Sequence, residues 1–384
     1  MVINKQPIEW AKSMIDAMMD TYRPEELPPE GVFFYHQGVF LSGTQKVYNY
    51  TKEIRYYEYI KAYIDSVIDD NGLIAGYSVD KLSPEKSWFF NTTLTTLDNK
   101  QPAILLFDLY NITKEEKYKK ALDSVIESIH YWPANPYGGY WHMMNQTDQM
   151  WLDGAYMIGP LSCMYDRYYG DEILRNNAVK QILLMDEHMK DKITGLYYHG
   201  WDVSKNAKWA DSETGLSSQF WGRAIGWYAV AILDISENIE GTQREKLISI
   251  ETELLRNLAL YQDGKTGMWY QVVDKINCPD NWLEASASCL FTYSYARAIT
   301  AGIIDPEKYI PILKKAYAGI ISSLRCDEKG NTILGNICVG TCVEDGTYEH
   351  YVKRPSTKND LHGAGAFILM CEAVQKCYDR FNLK

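Results

Sequence analysis

The feature of this sequence that most constrains its fold is a repeated order of two kinds of helical segment. Five segments are apolar around most of their circumference, which is typical of helices buried on nearly all sides. Between them lie amphipathic segments, such as the one in which Tyr118, Leu122 and Ile129 share one face and charged residues occupy the other. The five apolar segments are 103–110, 156–165, 228–235, 288–299 and 364–374.

This order predicts a closed ring of helices. Hairpins whose first helix is wholly buried can close around an axis, with the amphipathic second helices facing solvent. With further helices expected near residues 8–22 and 54–68, the sequence predicts an all-α, (α/α)6 barrel of six helical hairpins. No Pro-, Gly- or Ser-rich linker and no run of charge divides the chain, so we expect a single domain over residues 1–384.

A short polar stretch precedes each apolar segment. These stretches contain Asp98, Asp153, Arg223, Glu284 and Asp360, and Gly-aromatic turns recur between the helices. Because the inner helices of such a ring all run in the same direction, their first residues meet at one end. The sequence therefore predicts that side chains distant along the chain converge on one cleft.

Charge and motif content exclude several classes of function. With 39 basic and 50 acidic residues, the net charge of −11 repels phosphate backbones and anionic lipids, so we expect neither a nucleic acid nor a membrane partner. No apolar run has the roughly 18 residues of a membrane span, and the N-terminus lacks a secretion signal, which predicts a cytoplasmic protein. The eight cysteines form no Cys-x-x-Cys pair and indicate free buried thiols.

Nucleotide-binding, serine-hydrolase and zinc-protease motifs are absent from the sequence. The seven histidines show no ligand-like local spacing, so neither a metal ion nor a cofactor is predicted. We expect the partner to be a small oligosaccharide and the protein to be a monomer or a homodimer. The aromatic content of 13% suits either a large mixed core or a cleft that stacks on sugar rings.

The candidate catalytic residues are Asp98 and Asp153. A carboxylate at the start of an apolar helix can be explained as an N-terminal cap. Capping needs only one acid per helix, however, whereas Glu284 and Asp360 would join these two at the same end of the ring. Gathered carboxylates repel, which raises the pKa of one of them and suits general acid/base catalysis.

A second group of residues is suited to ligand binding. Arg223 and Trp227 are four residues apart on one helical face, where a guanidinium and an indole can hold a sugar carboxylate and stack on its ring. The alternative is a buried arginine paired with one of the acids. Two matching turns, Trp141-His142 and Tyr198-His199, would carry histidines to the same rim. The predicted substrate-binding residues are His142, Trp151, His199, Trp221, Arg223, Trp227 and His362.

The motifs around these residues resemble those of glycoside hydrolase family 105, and they occur in order between about residues 95 and 374. The resemblance implies an (α/α)6 barrel that acts as an unsaturated rhamnogalacturonyl or galacturonyl hydrolase in pectin degradation. Such enzymes take oligosaccharides left by polysaccharide lyases, whose non-reducing end is a 4,5-unsaturated uronic acid. The matching motifs are Gln149-Met-Trp-Leu-Asp153-Gly, Tyr198-His199-Gly-Trp, Trp221-Gly-Arg223-Ala-Ile-Gly-Trp227 and Asn359-Asp-Leu-His362-Gly-Ala-Gly.

The resemblance also implies roles for individual residues. An aspartate at the position of Asp153 protonates C4 of the enol ether and helps to activate the water that adds at C5; the resulting hemiketal then collapses. Asp98 would hold the ring hydroxyls and keep Asp153 protonated. Met143 follows His142 where rhamnogalacturonyl hydrolases often have a basic residue, which leaves Arg223 or another group to bind the uronate carboxylate. The terminal subsite would be lined by His142, His199, Trp221, Arg223 and Trp227.

Several alternatives fit the same residues. The nearest is an unsaturated glucuronyl hydrolase that acts on glycosaminoglycan or gellan fragments. Two carboxylates also suit an ordinary inverting glycosidase. An (α/α)6 sugar epimerase or isomerase would depend on a pair of histidines rather than on the aspartates, and a non-catalytic sugar-binding protein would bind lyase products without consuming them.

Overall fold

The computed structural model describes residues 5–74 and 95–383, most of which lie in α-helices. The helices are α1 (Pro7–Thr21), α2 (Tyr35–Thr51), α3 (Ile54–Val67), α4 (Leu105–Thr113), α5 (Glu116–His130), α6 (Asp153–Tyr169), α7 (Glu172–His188), α8 (Gly222–Ser236), α9 (Gly241–Leu258), α10 (Ala285–Thr300), α11 (Pro306–Ser323), α12 (Tyr348–Val352) and α13 (Leu361–Phe381). Short strands pair antiparallel as β1 (Gln149–Trp151) with β2 (Gly200–Asp202), β3 (Arg325–Cys326) with β4 (Thr332–Ile333), and β5 (Ile337–Cys338) with β6 (Ser356–Thr357).

Alternate helices form a closed inner ring. The inner members are α2, α4 with the 3-10 turn Gln101–Ile104 that leads into it, α6, α8, α10 and α13, and each packs against its neighbours in that order. The ring closes where α13 contacts both α10 and α2. The outer members are α3, α5, α7, α9, α11 and α1. The predicted (α/α)6 barrel is therefore confirmed.

The hairpin at the two chain ends differs from the sequence-based expectation. The first helix, α1, packs outside the last helix, α13, and the inner partner of α3 is α2, which the apolar pattern did not reveal. Much of α2 is buried without being apolar: Gln37, Ser42 and Thr44 are all buried. A helix can be surrounded by other helices while carrying small and polar side chains, so its hydrophobicity alone does not predict its position.

Glycine allows the inner helices to approach closely. A Cβ atom placed on Gly365 of α13 would lie 2.6 Å from the backbone nitrogen of Phe40 in α2. A Cβ atom on Gly226 of α8 would lie 2.8 Å from the side chain of Leu290 in α10. At such separations any larger residue would force the helices apart.

The N-terminal ends of the inner helices meet at one end of the ring. Strand β5 joins three of them, since the backbone of Cys338 contacts Glu284 before α10, Arg223 in α8 and His362 in α13. The predicted convergence of the polar stretches is thus observed for these helices. Among the described helices, none is long and apolar enough to cross a membrane.

Candidate active site

Asp153 begins α6 directly after strand β1. The antiparallel pairing of β1 with β2 sets Trp151 opposite Gly200, and the amide of Leu152 donates to the carbonyl of His199 at 3.0 Å. This register brings Nε2 of His199 to 3.1 Å from Oδ2 of Asp153. Both side chains are buried, so the contact lies in a region of weak solvent screening.

His199 is held from its other side by a residue that the sequence analysis did not identify. Its Nδ1 lies 2.8 Å from the hydroxyl of Tyr351 in α12, and its ring lies 4.6 Å from that of Trp221 between centroids. Burial lowers the pKa of His199, which favours the neutral ring in the resting protein. Tyr351 and Trp221 therefore fix the imidazole beside Asp153.

Asp98 is paired with the second predicted histidine. It lies in the 3-10 turn Leu97–Asn99, whose start is tied to the His142 turn by a hydrogen bond from the amide of Leu97 to the carbonyl of His142 at 3.0 Å. Nε2 of His142 is 3.4 Å from Oδ1 of Asp98, and the imidazole stacks on Trp151 at 4.5 Å between centroids. Two buried Asp-His pairs thus flank the indole of Trp151, whose ring centroid also lies 5.7 Å from that of His199.

The charge state of Asp153 differs from the expectation. Burial raises the pKa of Asp153, but the adjacent His199 and the positive charge of Arg223 outweigh this effect, and the pKa lies below its ordinary value. His142 lowers this pKa as well. Asp98 lies beside His142, and its role in keeping Asp153 protonated stays a prediction.

Several buried polar atoms in this cluster have no hydrogen-bond partner within the described residues. His199 Nε2 and Asp153 Oδ2 lie 3.1 Å apart, but neither atom has a hydrogen-bond partner among the described residues. Leaving buried polar groups unpaired costs about 1 to 3 kcal/mol each, and native proteins keep such groups few. Their concentration here indicates a site built to receive a polar ligand. The atoms are His142 Nδ1, Trp151 Nε1, Asp153 Oδ2 and His199 Nε2.

Arg223 donates hydrogen bonds to the backbone of residues 338 and 339. Its guanidinium lies 4.5 Å over the Trp221 ring, Nη1 donates to the carbonyl of Cys338, and Nη2 donates to the carbonyl of Val339 at 2.7 Å. With an exposed fraction of 1%, it lies beneath the surface of the cleft. The guanidinium of Arg223 is therefore directed at Trp221 and at the loop that follows β5.

Trp227 and His362 lie deeper than the sequence analysis predicted. Trp227 is fully buried and stacks on Tyr156 of α6 at 4.8 Å, within the hydrophobic core. His362 is also fully buried, with Nε2 3.0 Å from Nη1 of Arg223 and Nδ1 2.7 Å from Asp360. Of the seven predicted binding residues, His142 and His199 contact the two carboxylates, and Trp151 and Trp221 contact these histidines.

Tyr35 is a further site residue that the sequence analysis missed. Burial raises the pKa of its phenol, and the carboxylates of Asp98, Asp360 and Asp153 raise it further while Arg223 lowers it. The phenol therefore lies among these charged groups, at the start of α2. No periodic pattern marks this position, because α2 itself lacks an apolar signature.

Among the described residues, one group of side chains could hold a metal ion. The donor atoms of His36, Asp360 and His362 all lie within 4.8 Å of one another. The guanidinium of Arg223 lies 3.0 Å from His362, and a fixed positive charge there opposes binding of a dication. The cluster joins residues far apart in the chain, which local spacing could not reveal.

Comparison with known proteins identifies the family of this chain. A family model described as Glycosyl Hydrolase Family 88 matches residues 10–378. A solved structure of a family 105 glycoside hydrolase from C. acetobutylicum ATCC 824 is 30% identical, with 95% of this chain and 99% of that chain covered and a TM-score of 0.86. The chain belongs to this group of glycoside hydrolases. The predicted resemblance to family 105 is confirmed.

Two further relatives define the breadth of the group. The unsaturated rhamnogalacturonyl hydrolase YesR of Bacillus subtilis strain 168 is 24% identical over 92% of this glycoside hydrolase and 90% of its own length. The unsaturated glucuronyl hydrolase of Bacillus sp. GL1, described as responsible for glycosaminoglycan degradation, shares the fold at a TM-score of 0.69. It is 16% identical, with 95% of each chain covered.

Proposed function

We propose that this glycoside hydrolase removes the 4,5-unsaturated uronic acid from the non-reducing end of lyase-generated oligosaccharides by hydrating the C4=C5 double bond. The observation that carries the proposal is the cluster of unpaired buried polar atoms around Asp153. A hydration reaction needs one acid to protonate a carbon and one ordered water beside it. Asp153, flanked by His199, can serve both needs from one face of the sugar.

The proposed reaction begins with protonation of the double bond. Protonated Asp153 gives its proton to C4, and the electron pair of the double bond forms the new C–H bond, leaving positive charge shared by C5 and the ring oxygen. Water adds at C5 and returns its proton to the Asp153 carboxylate. The resulting hemiketal opens its ring, and the anomeric carbon then releases the shortened sugar and becomes an aldehyde. Because Asp153 and His199 are buried, these reaction steps would take place away from bulk water.

Asp153 must gain a proton before it can act. In the unliganded protein its pKa is lowered, so the carboxylate is ionised at neutral pH. A bound uronate adds a negative charge and displaces water, and both effects raise the pKa of a neighbouring carboxyl group. Substrate binding therefore converts Asp153 from a base into an acid.

The other residues of the cluster hold the sugar. Asp98 and Nδ1 of His142 are suited to ring hydroxyls, and the indole Nε1 of Trp151 is a further donor without a partner among the described residues. Trp221 and Tyr35 contribute aromatic surface beside the carboxylates. Tyr351 acts through His199, which it orients.

We infer that the substrate is a pectin fragment of the rhamnogalacturonan type. This choice is supported by the similarity to YesR over most of both chains. A glycosaminoglycan-type substrate has weaker support, because the glucuronyl hydrolase of Bacillus sp. GL1 is related at the level of fold. Because Met143 stands after His142 in place of a basic residue, the assay compares three uronides.

The test follows the ultraviolet absorbance of the conjugated double bond. Unsaturated rhamnogalacturonan, galacturonan and chondroitin disaccharides are incubated separately with the purified protein. We expect absorbance to be lost with the rhamnogalacturonan disaccharide, to be retained with Asp153→Asn, and to be lost normally with Glu187→Gln, which changes an exposed carboxylate. Unchanged absorbance with all three substrates and a folded wild-type protein would contradict the proposal.

A further inference from the structure

The proposed substrate carries a carboxylate, and Arg223 is not available to bind it. The two Nη groups of Arg223 are hydrogen-bonded to the carbonyls of Cys338 and Val339, and the side chain is 1% exposed. Met143 supplies no charge after His142. A uronate that enters this cleft therefore needs another cation, because a desolvated carboxylate is costly unless paired.

Arg354 contacts the same loop as Arg223, the loop formed by residues 338–342. It follows α12, which carries Tyr351, and is partly exposed. Its Nε donates to the hydroxyl of Thr341 at 3.1 Å, and its Nη2 donates to the carbonyl of Gly340. Arg223 and Arg354 thus grip the carbonyls of three successive residues, 338 to 340, from two sides.

The free side of this guanidinium is suited to an anion. Among the described residues, Nη1 of Arg354 has no hydrogen-bond partner and no carboxylate lies within 4.0 Å of the side chain. Within the same part of the chain, the backbone amides of Gly340, Thr341 and Cys342 also donate to no acceptor. Next to Gly340 there is open space, since a Cβ atom there would meet nothing within 4 Å.

Cys342 connects this rim with the catalytic carboxylates. Burial raises the pKa of the Cys342 thiol to about 12, Asp98, Glu344 and Asp153 raise it as well, and Arg354 lowers it. Cys342 also packs against the cluster that contains Met143 and Trp151, and Trp151 lies between the two Asp-His pairs. A sugar bound against Asp98 and Asp153 would place its substituents close to the Arg354 rim.

We propose that Arg354 is a specificity-determining residue that binds a uronate carboxylate of the substrate, with its guanidinium fixed in place by Gly340 and Thr341. A guanidinium group that is already held in place loses little conformational entropy when it binds a carboxylate. The inference rests on the proposed function, since it assumes a uronide in the cleft. The carboxylate belongs either to the terminal unsaturated uronate or to an acidic sugar next to it.

The experiment compares Arg354→Gln with wild type on three disaccharides. Unsaturated galacturonyl-rhamnose has one carboxylate, unsaturated digalacturonate has two, and the methyl ester of the first has none. We expect the variant to raise KM about tenfold to a hundredfold with little change in kcat, the range expected for a charged hydrogen-bonded pair. An effect on the first substrate assigns the terminal carboxylate, and an effect on the second alone assigns the neighbouring sugar.

The ester separates binding from loop positioning. If Arg354 binds a carboxylate, its replacement leaves KM for the neutral ester unchanged; an equal loss with the ester would mean that Arg354 only shapes the loop and would overturn the proposal. Unchanged KM on all three substrates would also overturn it. The matched control is Lys353→Gln, which removes the neighbouring exposed cation and should change nothing.

Titration of the same disaccharides into Asp153→Asn, with and without Arg354→Gln, measures Kd without turnover. Weaker binding in the double variant would support the role of Arg354 even if wild type consumed none of the sugars, in which case the proposed hydration alone would fail. Equal Kd values in the two variants would contradict the role of Arg354.

Discussion

The end of the barrel that carries the site has two halves, each with a pair of carboxylates that precede or begin an inner helix. In one half, Glu284 accepts from the amides of Ala287 and Cys338, and Asp360 accepts from the amide of His362. In the other half, Asp153 makes no capping hydrogen bond and Asp98 lies beside His142. The carboxylates of the first pair accept hydrogen bonds from backbone amides, whereas those of the second pair accept none from the described backbone. We refer to the two as the capping half and the uncapped half.

This difference shows that the same position in the repeat can have two roles. At Glu284 and Asp360 the explanation by capping is sufficient, and the side chains stabilise α10 and α13. At Asp153 the same explanation fails, because its oxygen Oδ2 is left without a hydrogen bond in the described part of the chain. The uncapped half is therefore the half that can perform chemistry.

The largest expected effect is on the uncapped half of the site, which contains Asp153. Asp153→Asn should lower kcat by at least about a thousandfold, since the general acid is lost, while the free energy of unfolding changes by less than about 1 kcal/mol because no cap is removed. Ultraviolet assays and urea unfolding measure the two quantities. A variant with near-normal turnover would remove Asp153 from the mechanism.

The reverse pattern is expected for the capping half, which contains Glu284 and Asp360. Glu284→Gln should lower the free energy of unfolding by about 2 to 4 kcal/mol, because an amide nitrogen would face backbone donors in a fully buried position. Urea denaturation checks the value. If the variant were as stable as wild type but inactive, the division into a structural and a chemical half would be incorrect.

Asp360 gives this comparison a pH dependence. Burial raises the pKa of Asp360, but His362, His36 and Arg223 lower it well below its ordinary value. A carboxyl group whose pKa is lowered by folding stabilises the folded protein at pH values above its unfolded pKa of about 3.9. This contribution to the free energy of unfolding is lost progressively as the pH falls from there toward the lower pKa of the folded state. Asp360→Asn should therefore cost about 1 to 2 kcal/mol at neutral pH, and stability curves of variant and wild type should converge below about pH 4.

A smaller effect is expected from the residue that orients His199. Tyr351→Phe removes the hydroxyl 2.8 Å from Nδ1 and should lower kcat about tenfold, which corresponds to about one lost hydrogen bond. KM should stay the same, because Tyr351 acts through His199. The comparison variant is Tyr348→Phe on the same helix, whose hydroxyl contacts Asp280 instead; an equal loss there would indicate a general effect on α12.

The smallest signal is a fraction of one proton. Since binding should raise the pKa of Asp153 from its lowered resting value, the protein should take up protons when a non-hydrolysable uronide binds near pH 6 to 7. Calorimetry in two buffers of different ionisation enthalpy measures the uptake. Asp153→Asn should abolish it, and uptake that persists in this variant would assign the proton to another group.

Much of the fold could be predicted from the sequence. Five inner helices can be recognised in the sequence because they are apolar around most of their circumference. Their shared direction predicts that the polar stretches converge. The inner helix α2 could not be predicted in this way, because Gln37, Ser42 and Thr44 are buried by close neighbours rather than by their own hydrophobicity. The exchange of partners between the two chain ends follows from closure of the ring, which no local pattern encodes.

For the site, the sequence determined which residues could do chemistry: Asp98, Asp153 and the two turn histidines. The tertiary structure decided which of them are left unsatisfied, and it moved Arg223 and Trp227 from the cleft surface into the supporting layer. The physical reason is that a hydrogen bond or a pKa depends on neighbours brought from distant parts of the chain. Sequence spacing sets which face of a helix a side chain lies on, whereas packing sets what meets it there.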